Sequence, residues 1–209
     1  MVSLTASQRN ADNLGSTVRF SWIGLVVRII AGEFKGRRLV TPEWSGIRPT
    51  SDRLRETMFN ILRDEVQGAT VLDCYAGTGA VGLEAMSRGA SAITFVDHDR
   101  RAVSLIELNI GRCGGTARVD VALGALPEAL GRIAPGTRFD LVLLDPPYEF
   151  DAHAIGAILS AVASYVENDG QIVMERARHD TTSNAPGLTQ VRRVTAGGSA
   201  LEFYVRDAT

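Results

Sequence analysis

The chain has 209 residues, 45% of them hydrophobic and 22% charged, with a formal net charge of −2. That suits one globular domain with a sizeable core and excludes a global field that attracts nucleic acid, so any basic surface has to be local. The two cysteines, Cys74 and Cys113, lack metal-ligand spacing and fit reduced thiols in the cytoplasm, and no apolar run is long enough to cross a membrane.

Residues 1–24 are polar, without periodicity or the apolar stretch of a secretory signal, and read as a flexible extension. Leu25 to Ala31 and Arg37 to Thr41 flank Gly32-Glu33-Phe34-Lys35-Gly36, which predicts a β-hairpin ended by Pro42. Residues 25–48 thus form a hairpin-and-loop appendage, and residues 49–209 the main domain. Thr50, Ser51 and Asp52 offer helix-capping oxygens. Leu54, Met58, Ile61 and Leu62 then repeat at i, i+4, i+7 and i+8, with Arg53, Arg55, Glu56 and Asn60 off that face.

From Thr70 the pattern alternates. Strands are predicted near 70–73, 92–97, 117–122, 139–145 and 171–175, and helices near 79–88, 100–111, 126–132 and 152–165. That rhythm predicts a doubly wound α/β fold: one seven-stranded, mostly parallel sheet with helices on both faces. Leu188 to Thr195 and Leu201 to Arg206 flank Ala196-Gly197-Gly198-Ser199 with no helix between, so the chain ends in an antiparallel hairpin.

Ligands bind outside the carboxyl ends of the strands in such a sheet. Asp73-Cys74-Tyr75-Ala76-Gly77-Thr78-Gly79 ends one strand and turns on glycines into a helix. Gly77 to Gly82 satisfies G-x-G-x-x-G, and Asp97 ends the next strand, placed to accept hydrogen bonds from ribose hydroxyls. An NAD-dependent oxidoreductase is one reading. Against it, Asp73 would repel a pyrophosphate at the helix N-terminus and suits instead a cationic ligand such as S-adenosylmethionine. Asp73 as a mere turn cap is the plainer alternative.

Asp145-Pro146-Pro147-Tyr148 ends the fourth strand of the alternation. An exocyclic amine on a nucleobase is a poor nucleophile because its lone pair is delocalised into the ring. Asp145 and the Pro146 carbonyl can accept its two N–H groups and direct that lone pair out of plane. Pro147 fixes the turn, and Tyr148 offers a stacking ring. Asp145 can also take the released proton. Cys74 has no neighbouring base to make it a nucleophile. His98, His153 and His179 share no spacing, and no metal is expected.

These motifs resemble class I S-adenosylmethionine-dependent methyltransferases acting on exocyclic amines. Two upstream stretches, Arg28 to Leu39 and Arg48 to Asn60, are similar to the RsmD family. The resemblance covers roughly residues 26 to 206, with Arg48-Pro49-Thr50 its most specific part. It implies a Rossmann-like fold, S-adenosyl-L-methionine as cofactor, and methylation of guanine N2 in 16S rRNA, within an assembling or assembled small ribosomal subunit. A cytoplasmic monomer is expected. Asp73, Cys74, Tyr75, Ala76, Gly77, Thr78, Gly79 and Asp97 are the candidate cofactor residues, and His98 flanks the adenine. The stretch Val121 to Leu126 offers no acid or amide for the adenine amine, so the backbone at Gly124 and Ala125 is assigned to it. An adenine-N6 methyltransferase and an inactive RNA-binding assembly protein are the other readings.

Seven basic residues (Arg28, Lys35, Arg37, Arg38, Arg48, Arg53 and Arg55) face three acidic ones between positions 28 and 55, a local balance of +4. They are the candidate RNA contacts, a phosphate footprint beside the crevice. The target base must leave its stack, so a loop or bulge is expected.

Overall fold

The computed structural model describes residues 20–21, 27–42, 51–114, 118–182 and 185–207. Readings of residues 1–19, 22–26 and the loop 43–50, Arg48 included, lie outside them. A two-residue pair, β1 (Phe20–Ser21) against β2 (Thr41–Pro42), comes first, so part of the expected loose extension is held in a strand. Helix α1 spans Asp52–Leu62, its first turn capped by the Ser51 hydroxyl, which accepts from the Leu54 amide at 3.2 Å.

The main sheet contains β3 (Thr70–Cys74), β4 (Ala92–Asp97), β5 (Arg118–Leu123), β6 (Phe139–Leu144), β7 (Val166–Ala177), β8 (Leu188–Ala196) and β9 (Ser199–Arg206). Their order is β5-β4-β3-β6-β7-β9-β8. Strands β3 to β7 pair in parallel, and β9 runs antiparallel between β7 and β8. This is the predicted fold class. Helices α2 (Ala80–Ser87), α3 (Arg100–Cys113) and α4 (Ala152–Ala163) are the connections.

The two faces are legible residue by residue. Val71, Ile93, Leu141, Val173 and Phe203 pack against Leu54, Met58, Leu83 and Ile106 on one side. Leu72, Val96, Val142, Ile172 and Tyr204 pack against Ile155, Leu159 and Val162 of α4 on the other. Strands buried on both faces read as continuous apolar runs, and helices must cover both sides. Val27, Ile29, Phe34 and Leu39 join the first cluster, so the N-terminal segment shares the main core.

Four expectations change. The hairpin over 25–41 is reduced, among the described residues, to a single bridge, Arg28↔Arg38, with Ile29 N–H donating to the Arg37 carbonyl at 2.9 Å. The amides of Gly36 and Leu39 also donate across it, to the carbonyls of Ile29 and Val27 at 2.9 Å each, while other backbone groups of the segment turn to α2. The amides of Ile30 and Ala31 donate to the buried Glu84 carboxylate at 2.7 and 3.0 Å. Phe34 N–H donates to the Ser87 hydroxyl, which itself donates to the Ala31 carbonyl. The predicted helix at 126–132 is a short 3-10 turn, Glu128–Arg132, preceded by Pro127. Strand β7 starts at Val166, ahead of the predicted 171. Its first half reads as a turn, Glu167-Asn168-Asp169-Gly170, and the pairing with β6 shifts register there. A Cβ at Gly170 would lie 2.9 Å from the Phe139 and Asp140 carbonyls, so the bulge needs glycine. The fourth is the strand at Phe20–Ser21 already given.

Gly32 makes the tightest contact in the N-terminal segment. Its φ is +82°, and a Cβ there would fall 1.8 Å from the Ser87 carbonyl oxygen. Gly32→Ala should destabilise the protein by about 2–4 kcal/mol, combining left-handed strain with a backbone clash. Thermal unfolding should show a midpoint lower by roughly 4 °C or more. An unchanged midpoint would mean that the segment is not seated as described.

Candidate active site

The glycine turn leaves β3 through three left-handed positions, Tyr75 (φ 59°), Gly77 (φ 56°) and Gly79 (φ 75°), and enters α2 at Ala80. Gly79 is the N-cap and has no side chain to satisfy the first-turn amides. Asp73 does so from the strand end, accepting from the Gly82 amide at 2.8 Å. A Cβ at Gly82 would lie 2.4 Å from the Phe95 ring and 2.9 Å from Asp73 Oδ2, which explains the third glycine of the motif. One strand over, Asp97 accepts from the Gly77 amide at 2.8 Å and from the Asp99 amide at 2.9 Å. Both acids are buried, at 3% and 7% exposure.

Burial dominates the electrostatics. It pushes the Asp73 carboxyl from its ordinary 3.8 up to about 7; the Gly82 amide opposes the rise and the charge of Asp97 adds to it. Burial, and then the Asp73 charge, drive the Cys74 thiol well above its ordinary range, so Cys74 is an inert packing residue. Burial likewise raises Tyr75, whose hydroxyl is enclosed without a hydrogen-bond partner among the described residues. The Tyr75 ring meets Phe150 edge-on at 6.3 Å, joining the glycine turn to the loop after β6.

That loop carries Asp145 and Pro146, partly and fully buried, then exposed Pro147 and Tyr148. It is clamped from β7 and β9. Arg176, 5% exposed, donates to the Phe150 carbonyl at 3.0 Å and the Pro147 carbonyl at 3.4 Å. The Tyr148 hydroxyl donates to Glu175 Oε1 at 3.1 Å and lies 3.1 Å from the Ser199 hydroxyl, which also donates to Glu175 at 2.8 Å. The sequence reading missed Glu175, Arg176 and Ser199. The available signal was an acid–base pair directly after the apolar run Ile172-Val173-Met174.

The strand order brings Asp97, Asp73, Asp145 and Glu175 side by side at the carboxyl ends of β4, β3, β6 and β7. Ala76 and Thr78 are buried within the glycine turn. His98 is exposed beside Asp97, 3.6 Å from its carboxylate. The Gly124 amide is already spent on the Asp97 carbonyl at 2.8 Å, and Ala125 follows it, exposed.

The candidate RNA residues divide. Arg28, Lys35, Arg37, Arg38 and Arg53 are exposed. Arg37 also stacks its guanidinium 4.9 Å over Phe34 and donates to the carbonyls of Arg112 and Cys113, closing the end of α3. Arg55 is 0% exposed and does not reach the surface. It donates to the carbonyls of Arg28 at 2.8 Å and Ala80 at 3.4 Å and to Asp52 at 2.7 Å, fastening α1 to the N-terminal segment and to α2. The missed signal is Phe59: with it, positions 55, 59 and 62 form a buried helical stripe. A second buried fastener is Asn109 on α3, whose amide pairs with both backbone groups of Val40 at 2.8 and 3.1 Å and donates to the Thr78 carbonyl at 2.9 Å.

A family model described as "Conserved hypothetical protein 95" matches residues 27–205. The chain belongs to that family. Ribosomal RNA small subunit methyltransferase D of Escherichia coli is 34% identical over 191 residues, 87% of this chain and 91% of that protein. The putative rRNA methyltransferase YlbH of Bacillus subtilis is 33% identical over 182 residues, 85% of this chain and 98% of its own. Among solved structures, the putative methyltransferase yhhF of Escherichia coli superposes with a TM-score of 0.74 at 29% identity, covering 88% of this chain and 100% of that one. The RsmD resemblance read from residues 28–39 and 48–60 is thereby borne out.

Asp73 gives a pH signature. Its carboxyl ionises near 3.8 when unfolded and near 7 when folded, so between those values the folded state holds a proton the unfolded chain has lost. Its contribution to stability is full below pH 4 and is lost as pH rises through 7. Asp73→Asn, which keeps an acceptor for Gly82, should therefore gain on the wild type by up to roughly 4 kcal/mol between pH 4 and pH 8. Urea unfolding at both pH values measures it. A constant difference would show that Asp73 ionises normally in the folded protein.

Proposed function

We propose that this protein transfers a methyl group from S-adenosyl-L-methionine to the exocyclic N2 of a guanine in 16S rRNA, in the cytoplasm, on an assembling or assembled small subunit. The observation that carries the reading is the Asp145-Pro146-Pro147-Tyr148 turn, clamped at the end of β6 beside the glycine turn. The relatives named as rRNA methyltransferases support it.

The residues fit the cofactor. Two buried acids at neighbouring strand ends suit a cation and a ribose diol, and would repel the pyrophosphate of NAD. S-adenosylmethionine supplies an electrophilic methyl on a sulfonium. Asp97 holds the ribose, and Asp73 faces the cationic methionine end, where a positive charge offsets the cost of burying its own. Asp145 and the Pro146 carbonyl accept the two amine N–H groups of the flipped base and turn its lone pair toward the methyl. Tyr148 stacks on the base, worth ~1–3 kcal/mol. Orientation of this kind can remove ~7–11 kcal/mol of barrier. Asp145 then takes the proton released from nitrogen. Arg28, Lys35, Arg37, Arg38 and Arg53 meet phosphates, with Arg48 assigned from sequence alone.

The two acids should separate in kinetics. Asp97→Ala should weaken cofactor binding by at least about 1.5–3 kcal/mol, the scale of hydrogen bonds to a charged group, since the Gly77 amide also loses its partner. Asp145→Ala should leave cofactor affinity near wild type and lower single-turnover rate by roughly 10²-fold or more. Asp145→Asn keeps an acceptor and removes the charge; a near-full rate there assigns the residue to orientation alone. Wild-type turnover by Asp145→Ala would end the mechanism.

RNA binding gives a second test. Lys35→Ala with Arg38→Ala should reduce the slope of log affinity against log salt by about 1.4–1.8, the release expected for two lost phosphate contacts. Arg55→Ala should instead cost stability, about 2 kcal/mol or more, because buried carbonyls lose a charged donor. Equal slopes in the wild type and the double variant would remove this surface from the RNA interface.

A further inference from the structure

Glu175 is 6% exposed, and its two carboxylate oxygens have different surroundings. Oε1 accepts from the hydroxyls of Tyr148 and Ser199. Oε2 is buried and has no hydrogen-bond partner among the described residues. An enclosed acceptor without a donor is costly and leaves a capacity to accept that the fold itself does not use. Leu144 of β6 pairs with Met174 of β7, so continuing the register one step sets Asp145 opposite Glu175. Asp145 and Tyr148, two of the residues assigned to the target base, thus both neighbour this carboxylate.

We infer that Glu175 selects guanine, its Oε2 accepting the N1–H of the target base while Asp145 and Pro146 hold the adjoining N2 amine. The inference rests on the methyl-transfer reading above and adds the base-discriminating contact. In guanine the ring position next to the reacting amine is a donor. In adenine, the nitrogen beside N6 presents a lone pair. A carboxylate there attracts the first and repels the second, so one residue separates guanine N2 from adenine N6 chemistry. The Tyr148 tether fits the same role: one carboxylate fixes the ring under the base with one oxygen and reads its edge with the other.

The test compares target bases. Small subunits are reconstituted from rRNA carrying guanine, 2-aminopurine or 1-methylguanine at the position that mass spectrometry maps as methylated. 2-Aminopurine keeps the N2 amine and presents a lone pair at N1; 1-methylguanine has no N1–H. The wild type should favour guanine over both by about 100-fold or more in kcat/KM, as sites built around a substrate N–H do. Glu175→Gln keeps an oxygen for Tyr148 and Ser199 and places an amide N–H where Oε2 stood. It should lower guanine turnover and narrow the preference over 2-aminopurine to less than about tenfold, since that amide can donate to the lone pair. Calorimetry should show S-adenosylmethionine affinity unchanged. Ser199→Ala, which loosens Tyr148 and leaves Oε2 in place, should keep the wild-type base preference.

Equal wild-type rates on guanine and 2-aminopurine would overturn the inference, and that comparison stands even if Glu175→Gln fails to fold. So would an unchanged preference in Glu175→Gln, or a Ser199→Ala variant as relaxed as Glu175→Gln. Methylation of adenine N6 by the wild type would instead remove the guanine reading itself, and this contact with it.

Discussion

The structure turns on two strand-end carboxylates that hold a glycine turn by its amides. A turn through left-handed positions that opens a helix leaves backbone donors without partners, and a glycine N-cap cannot supply an acceptor. Asp73 reaches up to the Gly82 amide, and Asp97 to that of Gly77. The same two bonds set the spacing between β3, β4 and α2, because Gly82 must lie flat against Asp73 and Phe95 for the first to form. The plainer reading of Asp73 as a cap is what its bond to Gly82 shows, and a carboxylate held this way at a strand end does not exclude the ligand role proposed for it.

The loop after β6 is held by a different principle. Two prolines stiffen it, yet its position is set from below, by Arg176 on two carbonyls and by Glu175 and Ser199 on the Tyr148 hydroxyl. Tyr75 against Phe150 ties it back to the glycine turn. The two halves of the site are therefore packed on each other directly, and a shift in one is felt by the other through rigid contacts.

The sheet was legible because parallel strands covered on both sides become short apolar runs, as in Val71-Leu72 and Leu141 to Leu144. The glycine turn and the Asp-Pro-Pro-Tyr turn were legible because each sits where such a run stops. The groups that position them were not. Glu175 and Ser199 meet through antiparallel pairing of β7 with β9, a register that local pattern does not encode. Charge misled at Arg55, where a cation beside an apolar stripe reads as solvent-facing unless Phe59 is counted in the stripe. Glu84 carried a signal of its own: a helix apolar all round, Leu83-Glu84-Ala85-Met86, leaves its one acid no route to water. The polar sequence of Glu167 to Gly170 hid a strand because exposed, bulged strands look like turns.

Glu84, Ser87, Asn109 and Arg55 together commit the backbone between Arg28 and Val40 to partners in three different helices. Each anchor is a single buried group with one fixed reach, and Gly32 leaves no slack against Ser87. The segment's length is consequently frozen while its outward side chains are not. Over evolutionary time, point changes at Arg28, Lys35 or Arg38 can redraw the face it shows to a partner, whereas an insertion or deletion between the anchors would slide every bond out of phase and reach the glycine turn through Asn109 and Thr78.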